Sequence, residues 1–242
     1  MTATAVLVHG AWHGGWCFER VVPLLETRGV ESVSLDLPGH GADPGPFTDL
    51  AGDAARVSAT LDHLSGPVVL LGHSYGGAVI TAAGGHPLVR HLVYLAAFAI
   101  DADESCRGAA TGAPGAELIS HDGRPDLGAA LTFHDDGTTT IDPREVHECL
   151  YNDCDDATVA WAVERLGPQP MGNLGESPAR IAWRERPSTY VVCARDNMVH
   201  PDLQRILARR CTNAVEWDAS HSPFASQPAL VADLVAELAI AE

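Results

Sequence analysis

The hexapeptide "GHSYGG", residues 72 to 77, follows an apolar run at 67–71 and precedes an alanine-rich stretch with helical spacing. A serine between glycines on a strand-to-helix turn projects its hydroxyl above a sheet, where it can attack an electrophilic carbon. Serine is a weak nucleophile at neutral pH, so this chemistry requires a histidine to take its proton and a carboxylate to orient that histidine. In a sheet of parallel strands such partners come from loops at the carboxyl ends of later strands. The run at 188–194 delivers Asp196, and the last apolar run, ending near Trp217, delivers "DASHSPF" with His221. The predicted set in chain order is Ser74, Asp196 and His221.

A second stretch, "HGAWHGGW" at residues 9 to 16, places three glycines and two histidines directly after the apolar run Ala5-Val6-Leu7-Val8. Bare backbone at a strand end lets a ligand come close to main-chain N–H groups. Attack by a serine on an acyl carbon puts negative charge on oxygen, and preorganised backbone donors hold that charge. The N–H after the nucleophile, at Tyr75, is one predicted donor. Ala11 supplies the other.

The chain holds twelve histidines, so other assignments compete. His9 and His73 flank the predicted site, but only His221 lies between the last strand and the final helix. His200, at a predicted helix start, reads as a surface or capping residue. Asp218 is too close in sequence to His221 to be its partner of choice, and Asp101, after the run at 91–97, is the alternative acid.

The elements that must position these residues are legible as short valine- and leucine-rich runs at 3–8, 30–36, 67–72, 91–97, 188–194 and 213–217. Between most of them lie helical spacings at 16–28, 48–64, 75–86, 201–210 and 227–240, with Thr48 as a predicted N-cap and Pro201 in a first turn. Such alternation predicts an α/β fold with a mainly parallel, doubly wound sheet. It breaks between 101 and 186, where "LTFHDDGTTTI" predicts a hairpin across Asp136-Gly137, and "DPREVHECLY" a helix capped by Asp142, with Pro143 in its first turn and Glu145 completing a capping box. A further helix is predicted in "DATVAWAVERLG". The segment 101–186 is expected to be a lid inserted into a single domain spanning 1–242.

Composition narrows the chemistry. A formal charge of −17 argues against nucleic acid or an anionic membrane as partner. All fifteen basic residues are arginine, which excludes a lysine Schiff base and a P-loop lysine. Residues 2–8 already read as a strand and no run reaches membrane-spanning length, so a cytoplasmic protein is expected. The six cysteines lack the paired spacings of a zinc site and read as mostly free thiols. No metal or organic cofactor is implied, the expected partner is a small-molecule substrate, and oligomeric state is open.

These motifs carry a resemblance. "VLVHGAWHGGWCF", "SLDLPGHG", "GHSYGG", "LVYLAAF", "YVVCARDNMVHPDLQR" and "ASHSPFASQP" make the chain similar to the α/β-hydrolase superfamily, and within it to the small methylesterase and hydroxynitrile lyase group and its bacterial relatives. The resemblance implies Ser74, Asp196 and His221 as a triad and Ala11 and Tyr75 as oxyanion donors. It also marks two departures: where the cyanogenic lyases carry a threonine in the oxyanion loop and a lysine beside the catalytic histidine, this chain has Gly10 and Ser222. The resulting expectation is a serine esterase for small, largely apolar esters or lactones, acting through an acyl-enzyme. Trp12, Phe98, Phe133 and Met171 are the expected pocket walls. A lyase, cyclase or dehydratase using the same triad, and a ligand receptor without turnover, remain the alternatives.

Overall fold

The computed structural model describes residues 2–120, 123 and 125–241; residues 121, 122 and 124 of the predicted lid lie outside the described residues. Six strands, β1 (Thr4–Val8), β2 (Ser32–Leu35), β3 (Val68–His73), β4 (Val89–Leu95), β8 (Ser188–Cys193) and β9 (Asn213–Trp217), form one sheet in the order β2-β1-β3-β4-β8-β9. Every pairing in it is parallel. Each strand of β1, β3 and β8 is almost wholly buried, as strands covered by helices on both faces must be. Helices α1 (Val22–Thr27), α2 (Leu50–Asp62), α3 (Gly76–Ala83), α7 (Pro201–Ala208), α8 (Pro223–Ser226) and α9 (Pro228–Ile240) make the crossovers and the final turn.

The strand order reverses direction around β1, because β2 lies on one side of it and β3 on the other. Crevices outside the carboxyl ends of strands at such a switch point are where open α/β sheets hold ligands. The loops after β1, β3, β8 and β9 all emerge at that edge. They carry "HGAWHGGW", Ser74, Asp196 and His221.

Between β4 and β8 the chain forms α4 (Cys106–Gly112), a three-stranded antiparallel sheet of β5 (Leu131–Phe133), β6 (Thr138–Ile141) and β7 (Gln169–Pro170), and helices α5 (Val146–Leu150) and α6 (Asp156–Val163). The expected hairpin is present, with Gly137 at φ 81° in its turn. The helix predicted from Pro143 starts instead at Val146: Asp142 accepts from the Arg144 N–H at 2.9 Å, a turn that spends the capping carboxylate before the helix begins. The cap of α2 is likewise one residue later than expected. Asp49 accepts from the Gly52 N–H at 2.7 Å, while the Thr48 hydroxyl is drawn away to Asp53 at 2.7 Å.

Parts of this segment brace the carboxyl edge of the sheet. Asp153, between α5 and α6, accepts from the Ser220 N–H at 2.9 Å and from the Ser220 and Ser226 hydroxyls, so a nearly buried carboxylate holds the loop that bears His221. Asn152 donates to the Arg195 carbonyl at 3.0 Å and Asn197 to that of Glu148 at 2.9 Å, which ties the same stretch to the loop after β8. All six cysteines are free. Among the described residues no helix is long and apolar enough to cross a membrane.

Candidate active site

The turn from β3 into α3 places Ser74 at φ 51°, a left-handed conformation that a serine adopts only under constraint. Close packing enforces it. A Cβ at Gly72 would collide with the Gly76 carbonyl, and one at Gly76 would lie 2.6 Å from the carbonyl oxygen of His9. Both flanking residues must therefore be glycine, and the turn is pressed against the end of β1.

Asp196 and His221 form a fully buried pair. His221 Nδ1 lies 2.7 Å from Asp196 Oδ2, with side-chain exposures of 2% and 0%. Further donors fix the carboxylate, among them the Met198 and Val199 N–H groups at 2.7 and 2.9 Å on Oδ1, and Gln204 Nε2 at 2.7 Å on Oδ2. Gln204 also accepts from the Cys193 N–H at 2.9 Å and donates to the Val199 carbonyl at 2.8 Å. A buried anion with this many hydrogen bonds is held as an oriented acceptor. Its Nδ1 contact leaves His221 Nε2 to face a reacting group.

The alternative acids lie elsewhere. Asp101 is paired with Arg184, and Asp218 is 83% exposed and held by Arg195 at 2.8 Å. His200 caps α7 by accepting from the Asp202 N–H at 3.0 Å, as its capping reading anticipated.

Two histidines of "HGAWHGGW" hold backbone. His9 donates from Nδ1 to the Gly10 carbonyl at 2.8 Å and accepts at Nε2 from the Leu37 N–H at 3.1 Å. A peptide N–H points opposite its own carbonyl, so this bond turns the Ala11 N–H the other way. His13 donates to the Ala11 carbonyl at 2.8 Å and accepts from the Tyr151 hydroxyl at 2.8 Å. The next N–H, that of Trp12, points to Gln169 Oε1 at 3.4 Å, and Trp12 itself has φ 62°. Burial, then neighbouring imidazoles, pushes His9 down to about 3; burial is also the main cause holding His13 down to about 4. Both rings stay neutral, as their donor and acceptor contacts demand.

In front of Ser74 lies a chamber of about 190 Å³ bordered by Ala11, Trp12, Ser74, Tyr75 and Phe98 and closed by Leu174 and Met198. Among the described residues, neither the Ala11 nor the Tyr75 backbone N–H donates to a protein acceptor. The chamber shares Phe98, Leu127 and Met198 with a neighbouring cavity of about 500 Å³. Its wall is almost entirely carbon, so it favours an apolar ligand.

Of the residues expected as pocket walls, Trp12 and Phe98 border this chamber and Phe133 lies away from it. Its side chain is 66% exposed on β5, because the hairpin turns that face outward. Met171 is also outside the chamber wall; its carbonyl accepts from Arg107. No local motif marks Gln204, Asp153 and His73 as supports, although a glutamine beside Leu203 on the buried face of α7 is a signal for the first. Among the described residues no group of three or more potential metal ligands converges.

The sequence profile of the Alpha/beta hydrolase family matches residues 5–234. The chain is 29% identical to a pyrethroid hydrolase of Sphingobium wenxiniae, over 99% of this chain and 89% of that protein. It is 28% identical to Methylesterase 2 of Arabidopsis thaliana, over 98% and 95%. The crystal structure of a pyrethroid hydrolase from Sphingobium faniae superimposes with a TM-score of 0.85 at 27% identity, covering 100% of this chain and 98% of that one. With six parallel strands, a constrained serine turn and a buried histidine–aspartate pair at the carboxyl edge of the sheet, the chain belongs to the α/β-hydrolase family.

Proposed function

We propose that the protein is a serine esterase acting on small, largely apolar carboxylic esters or lactones. The observation that carries this reading is the buried His221–Asp196 pair, 2.7 Å apart, at the same sheet edge as a serine held at φ 51° beside an apolar chamber. Ser74 Oγ adds to the ester carbonyl carbon while His221 Nε2 takes its proton. The carbonyl oxygen becomes an oxyanion facing the Ala11 and Tyr75 N–H groups, donors of a kind worth a few kcal/mol each. The tetrahedral adduct then expels the alkoxide, which leaves as alcohol with the proton from His221. Water, deprotonated by the same imidazole, releases the acid and restores Ser74. The segment 101–186 acts as the lid over this chamber.

The relatives named above as a pyrethroid hydrolase and a methylesterase support an ester as the substrate class. The test is labelling with a fluorophosphonate, located by peptide mapping, followed by p-nitrophenyl and methyl esters of graded acyl size. Expected are labelling at Ser74 and hydrolysis of the smaller esters. An unlabelled serine in folded protein, with no ester turned over, would defeat the reading.

A further inference from the structure

Arg107, an exposed residue in the first turn of α4, borders the mouth of the chamber that Ser74 lines. Past the reacting groups the chamber wall includes Phe98, Cys106, Ala110, Leu127, Leu174 and Met198, and among the described residues Arg107 is the one charged residue that borders it, its guanidinium reaching outward to the Met171 carbonyl. Its hydrogen-bond partner is the backbone carbonyl of Met171, which fixes the group without neutralising it. Several arginines of this acidic chain take carboxylates, as Arg144 does with Asp142, Arg184 with Asp101 and Arg210 with Glu104, whereas Arg20, Arg90 and Arg186, like Arg107, donate to backbone carbonyls, but away from the chamber. Among the described residues no carboxylate lies within ion-pairing distance of Arg107.

A guanidinium has five donors in a planar fork, and one carbonyl occupies little of it. Beside an apolar wall, a charge-assisted pair with a carboxylate is stronger than in open water. The surrounding field works the other way: a net charge of −17 repels anions from the molecule as a whole. An anionic substrate would need a local cation to be held at all.

Resting on the esterase reading, we propose that Arg107 is a specificity-determining residue and that the substrates preferred by this site are half-esters of dicarboxylic acids. The ester carbonyl meets Ser74, the apolar chain lies along Phe98 and Leu174, and the free carboxylate meets the Arg107 guanidinium. The chemistry is that of ester hydrolysis, with water as co-substrate and the diacid and alcohol as products.

The test uses two series of p-nitrophenyl esters matched in chain length, one of straight-chain acids and one of the corresponding half-esters from succinate to suberate. Wild type, Arg107→Gln and Arg107→Lys are compared, glutamine keeping an N–H for the Met171 carbonyl. In wild type at least one half-ester should exceed its neutral match in kcat/KM by about tenfold or more, mostly through KM, as a charge-assisted bond permits. Arg107→Gln should abolish that preference while leaving the neutral series within about twofold, and Arg107→Lys should retain part of it because lysine keeps the charge but loses the fork. Neutral esters preferred at every length in wild type, or equal losses on both series in Arg107→Gln, would overturn the proposal. Turnover of neither series by protein whose Ser74 stays unlabelled is a failure of the esterase reading instead. Calorimetric titration with the free dicarboxylates then decides Arg107 alone: saturable binding lost in Arg107→Gln supports the anion site, and no binding overturns it.

Discussion

His73 donates from Nε2 to the carbonyl oxygen of His221 at 2.8 Å, and the two rings pack with centroids 4.6 Å apart. The residue immediately before the proposed nucleophile therefore holds the backbone of the proposed base. Nδ1 of His73 is buried with no hydrogen-bond partner among the described residues, and burial followed by the neighbouring imidazoles keeps the ring far below the ordinary histidine range. A neutral ring with its proton on Nε2 fits that geometry.

Replacing His73 with leucine should lower kcat on an aryl ester by about tenfold to a hundredfold, since small misplacements of a reacting group cost that much. KM should stay within about twofold, and glutamine, which can offer an N–H, should recover part of the loss. Steady-state kinetics of the two variants decide it. An unchanged kcat in His73→Leu would mean that Asp153 and its serine contacts suffice to hold the loop.

Ser74→Ala and His221→Ala should each reduce kcat by roughly 10³-fold or more, because such residues act as a unit. Asp196→Asn should cost nearly as much, as it disturbs both the His221 tautomer and the Gln204 contact. Asp101→Asn should leave kcat near wild type, because that carboxylate is occupied by Arg184. A larger loss in Asp101→Asn than in Asp196→Asn would move the acid assignment.

The sheet was legible in the sequence because doubly covered parallel strands must be short apolar runs, and there are few other ways to read "PVVLLG" or "STYVVCA". The pairing of His221 with Asp196, and the place of Ser74 at the same edge of the sheet, were legible because topology dictates which strand ends can meet. Supports such as Gln204 and Asp153 depend on which distant backbone groups need a partner once the chain has folded, and no local pattern records that. Phe133 shows the same limit on a small scale. Alternation along a hairpin separates two faces without saying which one looks outward. The late start of α5 is a competition between two local uses of Asp142, a turn and a cap, that spacing alone cannot rank.

Acidification should destabilise the protein through its buried histidines. In an unfolded chain they titrate near pH 6.5, whereas His9 is held down to about 3 and His13 to about 4, in each case chiefly by burial. Between about pH 6.5 and 4 the unfolded chain binds protons that the folded chain refuses, so this contribution to stability is complete above that window and is lost as pH falls through it. Urea midpoints measured at pH 7.5, 6 and 5 should fall in that order. His13→Gln, which can still donate to Ala11 and accept from Tyr151, should show a shallower decline, and a flat profile in wild type would contradict neutral buried rings.

Gly10 bears on the class of reaction. A Cβ placed there would lie 2.8 Å from His73 Nδ1 and 2.8 Å from Ser74 Cβ, closer than side-chain carbons come in folded proteins, so any larger residue must displace the nucleophile turn or the ring that holds His221. The cyanogenic lyases that this chain resembles carry a threonine at this place and meet leaving cyanide with a lysine; here the corresponding Ser222 is a fully buried neutral hydroxyl, and the chain has no lysine at all. Cyanide leaves as an anion without passing through an acyl bond, and without an ammonium beside His221 it meets no cation at the place where the resembling lyases hold it. Wild type should hydrolyse a small aryl ester and release no cyanide from mandelonitrile above background. Gly10→Thr should lower ester hydrolysis by on the order of a hundredfold, the cost of a misplaced nucleophile, without gaining cyanide release. Cyanide release by wild type that disappears in Ser74→Ala would transfer the protein to the lyases, and full esterase activity in Gly10→Thr would show that the turn yields more readily than its packing implies.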